Sequence, residues 1–452
     1  MSDLVRFAVA LSLFCGVLLG PVPLHAQQPT SADTLRLDAA IQRALDANPQ
    51  AQIARRQADI AANNVSWGTA GFLPTLAGQA GYTETISSSD QTFLEGQTQN
   101  TDGATTTETS AGADLRWTVF DGLRPFATYD RLGAERDRQA AATNEEIEAL
   151  VADVIDGYYD VARRQQQLDV LREAASISRE RLRIVEARRE VGSASDLAVR
   201  QARVDLNADS AAVLRQQTTL VTARSRLNRL LGRSGDASVR YAVASSIDVD
   251  TSLGYRPLQQ AALQKSPALE QARQASQAAQ AATREARADF FPSVDLTAGY
   301  GYSQLDAESG FLQERTSTDF TYGVSLSLEL FDGLTRWREA QNAEIRATNA
   351  RLAVEDVRTR LTTELTSVYE RYQNRLRLLD LERQNLEAVR ANVDVALRQF
   401  ELGTITSVEL REVQEQFIQA ESRLLAAQYE AKQAEVELLR LSGQLLGRRG
   451  GL

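Results

Sequence analysis

Two kinds of hydrophobic periodicity alternate along this chain. From Phe320 to Leu330, every second residue is apolar, and the residues between are Thr, Gly, Ser or Glu. This alternation predicts a β-strand with one apolar and one polar face. The same pattern runs through residues 294–302 and 113–119, and more weakly through 75–86. The sequence therefore predicts four strands of about ten residues each.

The four predicted strands form two hairpins, at about residues 72–120 and 291–331. Within each hairpin the strands are joined by a segment rich in Ser, Thr, Asp and Gln, at roughly residues 87–107 and 304–318. Such a composition is typical of exposed loops, so we expect both joining segments to be loops.

A seven-residue hydrophobic repeat follows each hairpin, in helical segments from about Pro125 to Glu190 and from about Thr335 to Leu402. The repeat positions are Val154, Val161, Leu168, Ala175 and Leu182 in the first segment and Leu365, Tyr372, Leu379, Leu386, Val393 and Phe400 in the second. Such a stripe predicts helices packed side by side as in coiled coils. Each helix would form a rod of about 100 Å.

Each rod ends in a short tip that contains one glycine, at about residues 191–196 and 402–407. Glycine suits a chain reversal because it readily takes the left-handed backbone conformation. A returning helix then runs to about Leu231 or Leu445.

Landmarks recur along the chain at two constant offsets. The Asn-Pro pair at residues 48–49 recurs as Ser-Pro at 266–267, an offset of 218, whereas the Phe-Asp-Gly triplets at Phe120 and Phe331 are 211 residues apart. An offset that changes once indicates a duplication in which one loop differs in length.

We therefore divide the mature chain into two repeats, residues 27–240 and 241–452. Each repeat opens with a short amphipathic helix, and the proline that follows is tolerated at the start of a second helix. The predicted helices are residues 35–47 and 257–265 for the first kind, and those that end near Ala70 and Ala288 for the second.

Residues 1–26 are predicted to be a cleaved export signal. Their apolar stretch, Phe7 to Leu19, is shorter than the roughly 20 residues that a membrane-spanning helix requires. Cys15 leaves lipid attachment open as an alternative, although the preceding Ser-Leu-Phe fits the lipoprotein pattern poorly.

Few chemistries are open to the mature chain. Cys15 and His25 are the only cysteine and histidine, and both lie in the predicted signal peptide. Nucleophilic sites built on Cys or His and thiolate zinc sites need these residue types. A carboxylate-only active site stays open as an alternative, but the carboxylates are spread along helices, as on solvated helix faces. We therefore predict no enzyme, no resident metal and no cofactor, and the formal charge of −10 argues against nucleic-acid binding.

An exported chain with strands of membrane-crossing length is typical of the outer membrane of a double-membraned bacterium. In lipid, only helices and closed barrels pair every backbone group. Four strands cannot close into a barrel, because the smallest membrane barrels have eight, so at least two copies would share one barrel. The alternative is a soluble four-stranded sheet packed on helices.

The order of the segments resembles the outer-membrane efflux protein (TolC) family over essentially the whole mature chain. That order is helix, Asn-Pro helix, hairpin, FDG, long helix, VGSASDL tip and return helix, and it recurs with LGTITSVEL at the second tip. The resemblance implies a mainly α fold with a pair of transmembrane β-hairpins in two tandem repeats. In a homotrimer, four strands per protomer would form one 12-stranded barrel in outer-membrane lipid, and the coiled-coil-like helices would form a periplasmic α-barrel.

The resemblance also implies a function. The trimer would be the exit duct of a tripartite pump of the Gram-negative cell envelope, and its helical tips would dock onto a periplasmic adaptor that joins an inner-membrane transporter. Small molecules such as drugs and detergents would pass through the duct passively.

Members of this family narrow the tunnel near the second tip, where acidic residues lie six and nine positions after the tip glycine. Glu409 and Glu412 hold those positions here. Three copies of each would form two carboxylate rings that attract cations, and a spacing of three places both on one side of a helix. The alternative is a solvated helix face.

Other tip residues differ from the family pattern. The Tyr and Arg that latch the closed state in well-known members correspond to Phe400 and Ile405, so that latch does not carry over. Asp196, with Arg200 one turn later, is a candidate for pairing across to Glu409 instead.

The two tips resemble the small-residue turns by which this family contacts its adaptors. A glycine with small neighbours lets another backbone approach closely, although glycine also serves simply to reverse the chain. The predicted adaptor-contact residues are Val191, Gly192, Ser193, Leu402, Gly403 and Thr404.

Two other functions stay open from the sequence. A type I protein secretion duct shares this architecture, and a non-conducting coiled-coil protein of the envelope could carry the same hairpins. Met1 is the only methionine, so no Met or His cluster indicates handling of soft metals. The partner pump largely sets the substrate, which this sequence does not identify.

Overall fold

The computed structural model describes residues 34–94, 96–233, 241–310 and 312–448; the predicted signal peptide, with Cys15 and His25, lies outside them. The first repeat forms β1 (Thr34–Leu35), α1 (Leu37–Ala47), α2 (Pro49–Asn64), β2 (Thr75–Thr92), β3 (Thr98–Asp121), α3 (Arg124–Glu190) and α4 (Asp196–Leu230). The second repeat forms β4 (Ala242–Val243), α5 (Tyr255–Lys265), α6 (Pro267–Ala288), β5 (Ser293–Ala307), β6 (Glu314–Ser327), α7 (Thr335–Leu402) and α8 (Ser407–Leu441).

The two long helices have the predicted extent, 67 residues in α3 and 68 in α7. All six heptad positions of α7 are buried, as are those of α3 from Val154 to Ala175, while Leu182 is partly buried. The predicted side-by-side packing is confirmed, since α3 lies along α4 and α7 along α8. The heptad stripes form the seams between these helices.

Helix α2 ends at Asn64, well before the predicted end near Ala70. Asn63 and Asn64 are weak helix formers. The Ser66 hydroxyl then accepts a hydrogen bond from the Thr69 amide at 3.1 Å, which gives the backbone an alternative to the helical ladder. The equivalent helix α6 runs to Ala288 as predicted.

The returning helices end at left-handed glycines. Helix α4 ends at Leu230, close to the predicted Leu231, and Gly232 follows at φ +66°. Helix α8 ends at Leu441 and not near Leu445, because Gly443 at φ +63° stops it.

The four long strands form one antiparallel sheet in the order β2-β3-β5-β6. They contain 18, 24, 15 and 14 residues, so the expected length of about ten is wrong. The expected loop at 87–107 is mostly strand, because β2 and β3 pair as far as Thr92 and Thr98. The second expected loop shrinks to the residues between Ala307 and Glu314. Threonine forms strands readily, so polar composition here indicates exposure to water and not a loop.

Strand β6 ends at Ser327 although the apolar alternation continues to Leu330. It is an edge strand, and its register with β5 ends at the pair Ser293–Ser327. Residues 328–330 therefore lie beyond the last paired residue of this edge within one protomer.

The helices lie side by side in the same order as the strands to which they are connected. Next to the sheet the neighbouring helices are α2–α3, α3–α6 and α6–α7, and farther along the rods they are α4–α3, α3–α8 and α8–α7. Helices α3 and α7 span both layers, so α7 is an edge helix throughout. No helix in the described parts of the chain is both long and apolar enough to cross a bilayer.

Two tyrosines of the rods hold the short strands and the segment that follows β4. Strand β1 pairs in parallel with β4. The Tyr158 hydroxyl donates to the Leu35 carbonyl at 2.8 Å and accepts from the Ala244 amide at 3.0 Å. The Tyr372 hydroxyl donates to the carbonyl of Asp250. The largest apolar core surrounds this region.

Glu148 of α3 is buried beside a cavity of about 220 Å³ that is also lined by the start of α6, by α7 and by the end of α8. Burial raises the pKa of its carboxyl to about 7, the Arg440 charge opposes this shift, and the Glu145 charge adds to it. Because the unfolded chain releases this proton near pH 4.5, the stability that depends on the neutral carboxyl is complete below that pH and is lost as the pH rises to about 7.

We expect Glu148→Gln to stabilise the protein at pH 8, by at most about 3 kcal/mol, and to change little at pH 4. The measurement is the midpoint of thermal unfolding against pH for both proteins. Glu146→Gln is the matched control, since Glu146 lies on the same helix and is exposed. Parallel pH profiles for wild type and Glu148→Gln would contradict the expectation.

Candidate functional site at the helical tips

Both helical hairpins turn by the same backbone motif. Gly192 follows α3 at φ +77° and Gly403 follows α7 at φ +81°. In each tip, the glycine amide and the next amide donate back to carbonyls of the last helical turn, at distances between 2.8 and 3.1 Å. This is the Schellman arrangement, in which a left-handed glycine satisfies the last carbonyls of a helix. The left-handed glycines thus explain how the chain reverses at both tips.

The returning helices begin with side-chain caps. The Ser195 hydroxyl accepts from the Ala198 amide at 3.2 Å at the start of α4, and the Thr406 hydroxyl accepts from the Glu409 amide at 3.2 Å at the start of α8. The Glu409 carboxylate accepts in return from the Thr406 amide at 2.6 Å and from its hydroxyl at 2.9 Å. These reciprocal bonds form a capping box.

The cap determines the ionisation state of the Glu409 carboxyl. The backbone hydrogen bond from Thr406, followed by the bond from its hydroxyl, lowers the pKa of this carboxyl. Glu409 is therefore ionised at neutral pH, and the stability that the cap provides is lost only as the pH falls through that lowered pKa. Glu412 lies one turn farther along α8 and is also exposed. Among the described residues, no hydrogen bond or ion pair engages Glu412.

Within one protomer, Asp196 contacts its own tip and Arg200 is exposed. Asp196 is the first residue of α4, where its charge suits the helix dipole, and its carboxylate lies 3.5 Å from the guanidinium of Arg189 across the tip. No ion pair in the described part of the protomer joins Asp196 or Arg200 to Glu409. A contact between protomers stays a prediction.

Arg188 joins the first tip to the second. Its guanidinium donates to the Phe400 carbonyl and lies over the Phe400 ring, 4.9 Å from the ring centre. Phe400 is almost fully buried in a small apolar cluster with Val185 and Leu410, against which Ile405 packs. The two residues that replace the family's latch positions thus form apolar contacts between the tips.

A buried polar layer lies just behind that apolar cluster and was not predicted. The Asp209 carboxylate of α4 accepts from the Ser178 hydroxyl of α3 at 2.5 Å and from the Arg411 guanidinium of α8 at 2.7 Å. The Gln414 amide donates to Ser178 at 2.9 Å. Arg181, fully buried, pairs with Asp205 and donates to the carbonyl of Ser407 at 3.4 Å. This layer ties α3, α4 and α8 together.

Four apolar side chains are exposed at the tips. Val191 and Leu402, predicted as adaptor contacts, are 79% and 80% exposed. Leu197 and Val408, which the sequence reasoning missed, are 74% and 75% exposed. Each pair is related by the offset of 211, so the internal repeat could have identified the second pair. Gly192, Ser193, Gly403 and Thr404 are exposed between them.

A sequence profile of the outer membrane efflux protein family matches residues 40–233 and 258–444. No curated protein matches the sequence. The CmeC outer membrane channel of Campylobacter jejuni superposes with a TM-score of 0.74 at 14% identity, covering 96% of this chain and 94% of that one.

Two further solved structures share the fold. The outer membrane protein VceC of Vibrio cholerae has a TM-score of 0.70 at 18% identity and covers 90% of this chain and 96% of its own. The open state of the MtrE outer membrane channel of Neisseria gonorrhoeae has a TM-score of 0.67 at 18% identity, with coverages of 91% and 89%. The family match includes both repeats, and the paired hairpins and doubled rods account for it. The chain therefore belongs to the outer membrane efflux protein family and is an outer-membrane export duct that extends into the periplasm.

Proposed function

We propose that three copies of this chain form one continuous conduit through the outer membrane and the periplasm, with a wall that closes on itself. The observation that carries this proposal is the sheet β2-β3-β5-β6, which has two unpaired edges in the protomer and one exposed apolar face. Backbone groups at sheet edges must be paired in lipid. Because β2 and β6 run in opposite directions, β6 of one copy can pair with β2 of the next in an antiparallel manner, and three copies supply twelve strands.

The helices support the same assembly. The edge helix α7 buries little besides its heptad stripe, and it leaves apolar side chains exposed along its length. The opposite edge of the protomer, α2 and α4, also exposes apolar side chains. These residues are Ile345, Leu352, Leu381 and Val395 on α7, Ile53 and Ile60 on α2, and Val204, Leu214 and Val221 on α4. Burying both edges against neighbouring copies would close an α-barrel.

Glu409 and Glu412 supply the proposed constriction. Both carboxylates are exposed in the protomer, near the start of α8. The capping box holds Glu409 in one orientation, and Glu412 is free to face the axis. Three copies would set six negative charges at the narrow end of the conduit, which favours cations over anions.

The contacts between the two tips of one protomer support a closed resting state. Arg188 and the polar layer around Asp209 fasten α7 and α8 to α3 and α4. Opening would separate these groups. The contacts involve only a few side chains, so a docked partner could compete with them. In this proposal the periplasmic adaptor supplies that competition, and an inner-membrane transporter supplies the energy.

The exposed tip residues are the proposed adaptor surface. We expect the quadruple serine variant of Val191, Leu197, Leu402 and Val408 to lose at least tenfold in tolerance to detergents and cationic drugs, because full burial of each side chain in a complex would contribute about 1.5 to 3 kcal/mol. The measurement is complementation of a deletion strain. Leu94→Ser is the control, since Leu94 is fully exposed at the opposite end of the protomer. Full complementation by the tip variant at normal protein level would contradict this role.

Deletion of the gene tests the proposed function as a whole. Hypersensitivity to detergents, dyes and drugs with an unchanged culture supernatant supports small-molecule export. Loss of one secreted protein with normal tolerance identifies a type I secretion duct instead. A protein that forms no conducting oligomer in planar bilayers and that salt extracts from the envelope would contradict both and would favour a structural coiled-coil protein.

A further inference from the structure

A cavity of about 510 Å³ lies on one side of the rods, where α8 passes between α3 and α7. The floor of this wall cavity is apolar and includes Ile155 of α3 with Ala434 and Val436 of α8, all three buried. Its rim carries charged and phenolic side chains of the same helices. Cavities of roughly 300–1,000 Å³ with an apolar lining and a few polar groups are typical binding sites for drug-sized molecules.

The wall cavity opens on the side of the rods that faces away from the short strands. Glu435 of α8 and Tyr158 of α3 hold the segment after β4 on one side of the helices. A helix turns by about 100° per residue, so Glu437 points about 200° away from Glu435, and Asp156 points about 160° away from Tyr158. Glu437 and Asp156 both line the wall cavity. The segment after β4 therefore leaves this side of the rods free.

The carboxylates of the proposed constriction share this side of α8. Glu409 precedes Glu437 by four heptads, and Glu412 precedes Gln433 by three. Positions seven apart keep one orientation where a heptad stripe stays buried. In α8 that buried stripe is Leu410, Phe417, Leu424, Ala431 and Leu438. If Glu409 and Glu412 face the axis of the proposed conduit, the wall cavity faces the tunnel about 30 Å farther from the tips.

Most charges around the wall cavity are already paired. The ion pairs are Lys432–Glu435 at 2.9 Å, Arg375–Glu430 at 2.7 Å and Arg440–Glu437 at 2.7 Å. Lys432 is almost fully buried, so its pair forms part of the packed wall. Within the described part of the chain, the one lining cation without an ion pair is Arg371, which is exposed at the α7 rim.

Two carboxylates on the α3 wall form no ion pair with any described residue. Asp156 accepts from the Tyr429 hydroxyl at 2.7 Å and from the Gln433 amide, which are neutral donors. Asp153 lies one turn away and accepts no hydrogen bond from the described residues. Partial burial and then the Asp156 charge raise the pKa of the Asp153 carboxyl, against the charges of three arginines. A cation placed beside both carboxylates would relieve the repulsion between them.

We infer that the wall cavity binds organic monocations with an apolar body as they pass along the tunnel. This inference rests on the proposed conduit and adds a binding step in its wall. The positive group lies against Asp153 and Asp156, and the apolar body covers the floor at Ile155 and Val436. Arg371 on the opposite rim disfavours a second positive group. Three copies of the chain provide three such sites around the tunnel.

Equilibrium dialysis of the purified oligomer against ethidium, a planar aromatic monocation, tests this inference. We expect saturable binding of one ethidium per chain. Asp153→Asn combined with Asp156→Asn should weaken binding at least tenfold, because the amide oxygen at position 156 can still accept from Tyr429 and Gln433 while both charges are lost. Unchanged affinity in this double variant would overturn the inference.

Glu409→Gln combined with Glu412→Gln is the matched control, since it removes two charges from the same side of α8 far from the wall cavity. Ethidium should bind this control as it binds the wild type. An equal loss of binding in the two double variants would show general attraction to an acidic tunnel and would overturn the inference.

Ala152→Phe tests the contribution of the cavity itself. Ala152 is partly buried and lines the wall cavity, so the larger side chain fills space while every charge is kept. We expect at least tenfold weaker ethidium binding, and an anion of similar size, anilinonaphthalene sulfonate, should bind the wild type at least tenfold more weakly than ethidium does. Full ethidium binding by Ala152→Phe, or equal binding of the two probes, would overturn the inference.

Ion conductance in planar bilayers separates this inference from the proposed function. Conducting oligomers that bind no ethidium would overturn the inference and leave the proposed function standing. A protein that forms no conducting oligomer would overturn both, because the wall cavity would then face no tunnel.

Discussion

Gly232→Ala is expected to remove the folded protein from the outer membrane. Gly232 lies at φ +66°, and an added Cβ would lie 2.4 Å from the carbonyl oxygen and 2.6 Å from the carbonyl carbon of Ala47. Both contacts are with backbone, so relief requires the end of α4 to move away from the junction of α1 and α2. Left-handed strain adds roughly 1–2 kcal/mol to this displacement, and the total is several kcal/mol, comparable to the whole stability of many domains.

Gly192→Ala separates the effect of left-handed backbone strain from the effect of steric overlap. Gly192 has a similar φ of +77° but nothing within 4 Å of its added Cβ, so this variant is destabilised only by the backbone strain, roughly 1–2 kcal/mol. The measurement is the amount of oligomer in isolated outer membranes. Gly443, whose added Cβ would lie 2.5 Å from the Lys265 carbonyl oxygen, should behave like Gly232. Equal amounts of Gly232→Ala and Gly192→Ala oligomer would contradict the expected difference.

Replacing Glu409 and Glu412 together by glutamine is expected to abolish the cation preference of the conduit. Six carboxylates would become neutral at the proposed constriction. A change of 1.4 kcal/mol in the free energy of an ion at the ring alters its relative permeability tenfold, and a shift of that order is expected. The measurement is the reversal potential in planar bilayers under a gradient of KCl.

The capping box provides the control for this experiment. Glutamine at position 409 can still accept from the Thr406 amide, so Glu409→Gln removes charge and keeps the helix start, whereas Glu409→Ala removes both. If charge alone sets selectivity, the two single variants should share one reversal potential, and Glu409→Ala should unfold at the lower temperature. An unchanged reversal potential in the double glutamine variant would place these carboxylates away from the permeation path.

The elements with strict periodicity could be predicted from the sequence almost to the residue. A heptad stripe such as Leu365 to Phe400 has one interpretation at that length, since only a helix places every seventh residue on one face. The polar ends of the strands could not be predicted in the same way. Most of residues 87–107 are polar and exposed, so no apolar alternation marks them as strand, and only the pairing of β2 with β3 shows it.

The tips also combine features that the local sequence predicts with features that it does not predict. The left-handed glycines and the exposed Val191 and Leu402 follow from local sequence. The capping box was also readable, because Thr406 precedes Glu409 by three residues. Buried Arg181 carries no such signal, because its partners Asp205 and the Ser407 carbonyl come from two other helices. Such polar layers depend on which helices meet, and that is a property of the tertiary structure.

The open edges of the sheet also constrain how the protein reaches its membrane. A single protomer in lipid would leave the outer backbone groups of β2 and β6 without partners, and each such group costs several kcal/mol. A lone inserted subunit is therefore not a stable intermediate. Association and insertion become one concerted event whose rate depends steeply on the concentration of newly exported chains, and a slow supply would leave uninserted subunits in the periplasm for proteases to clear.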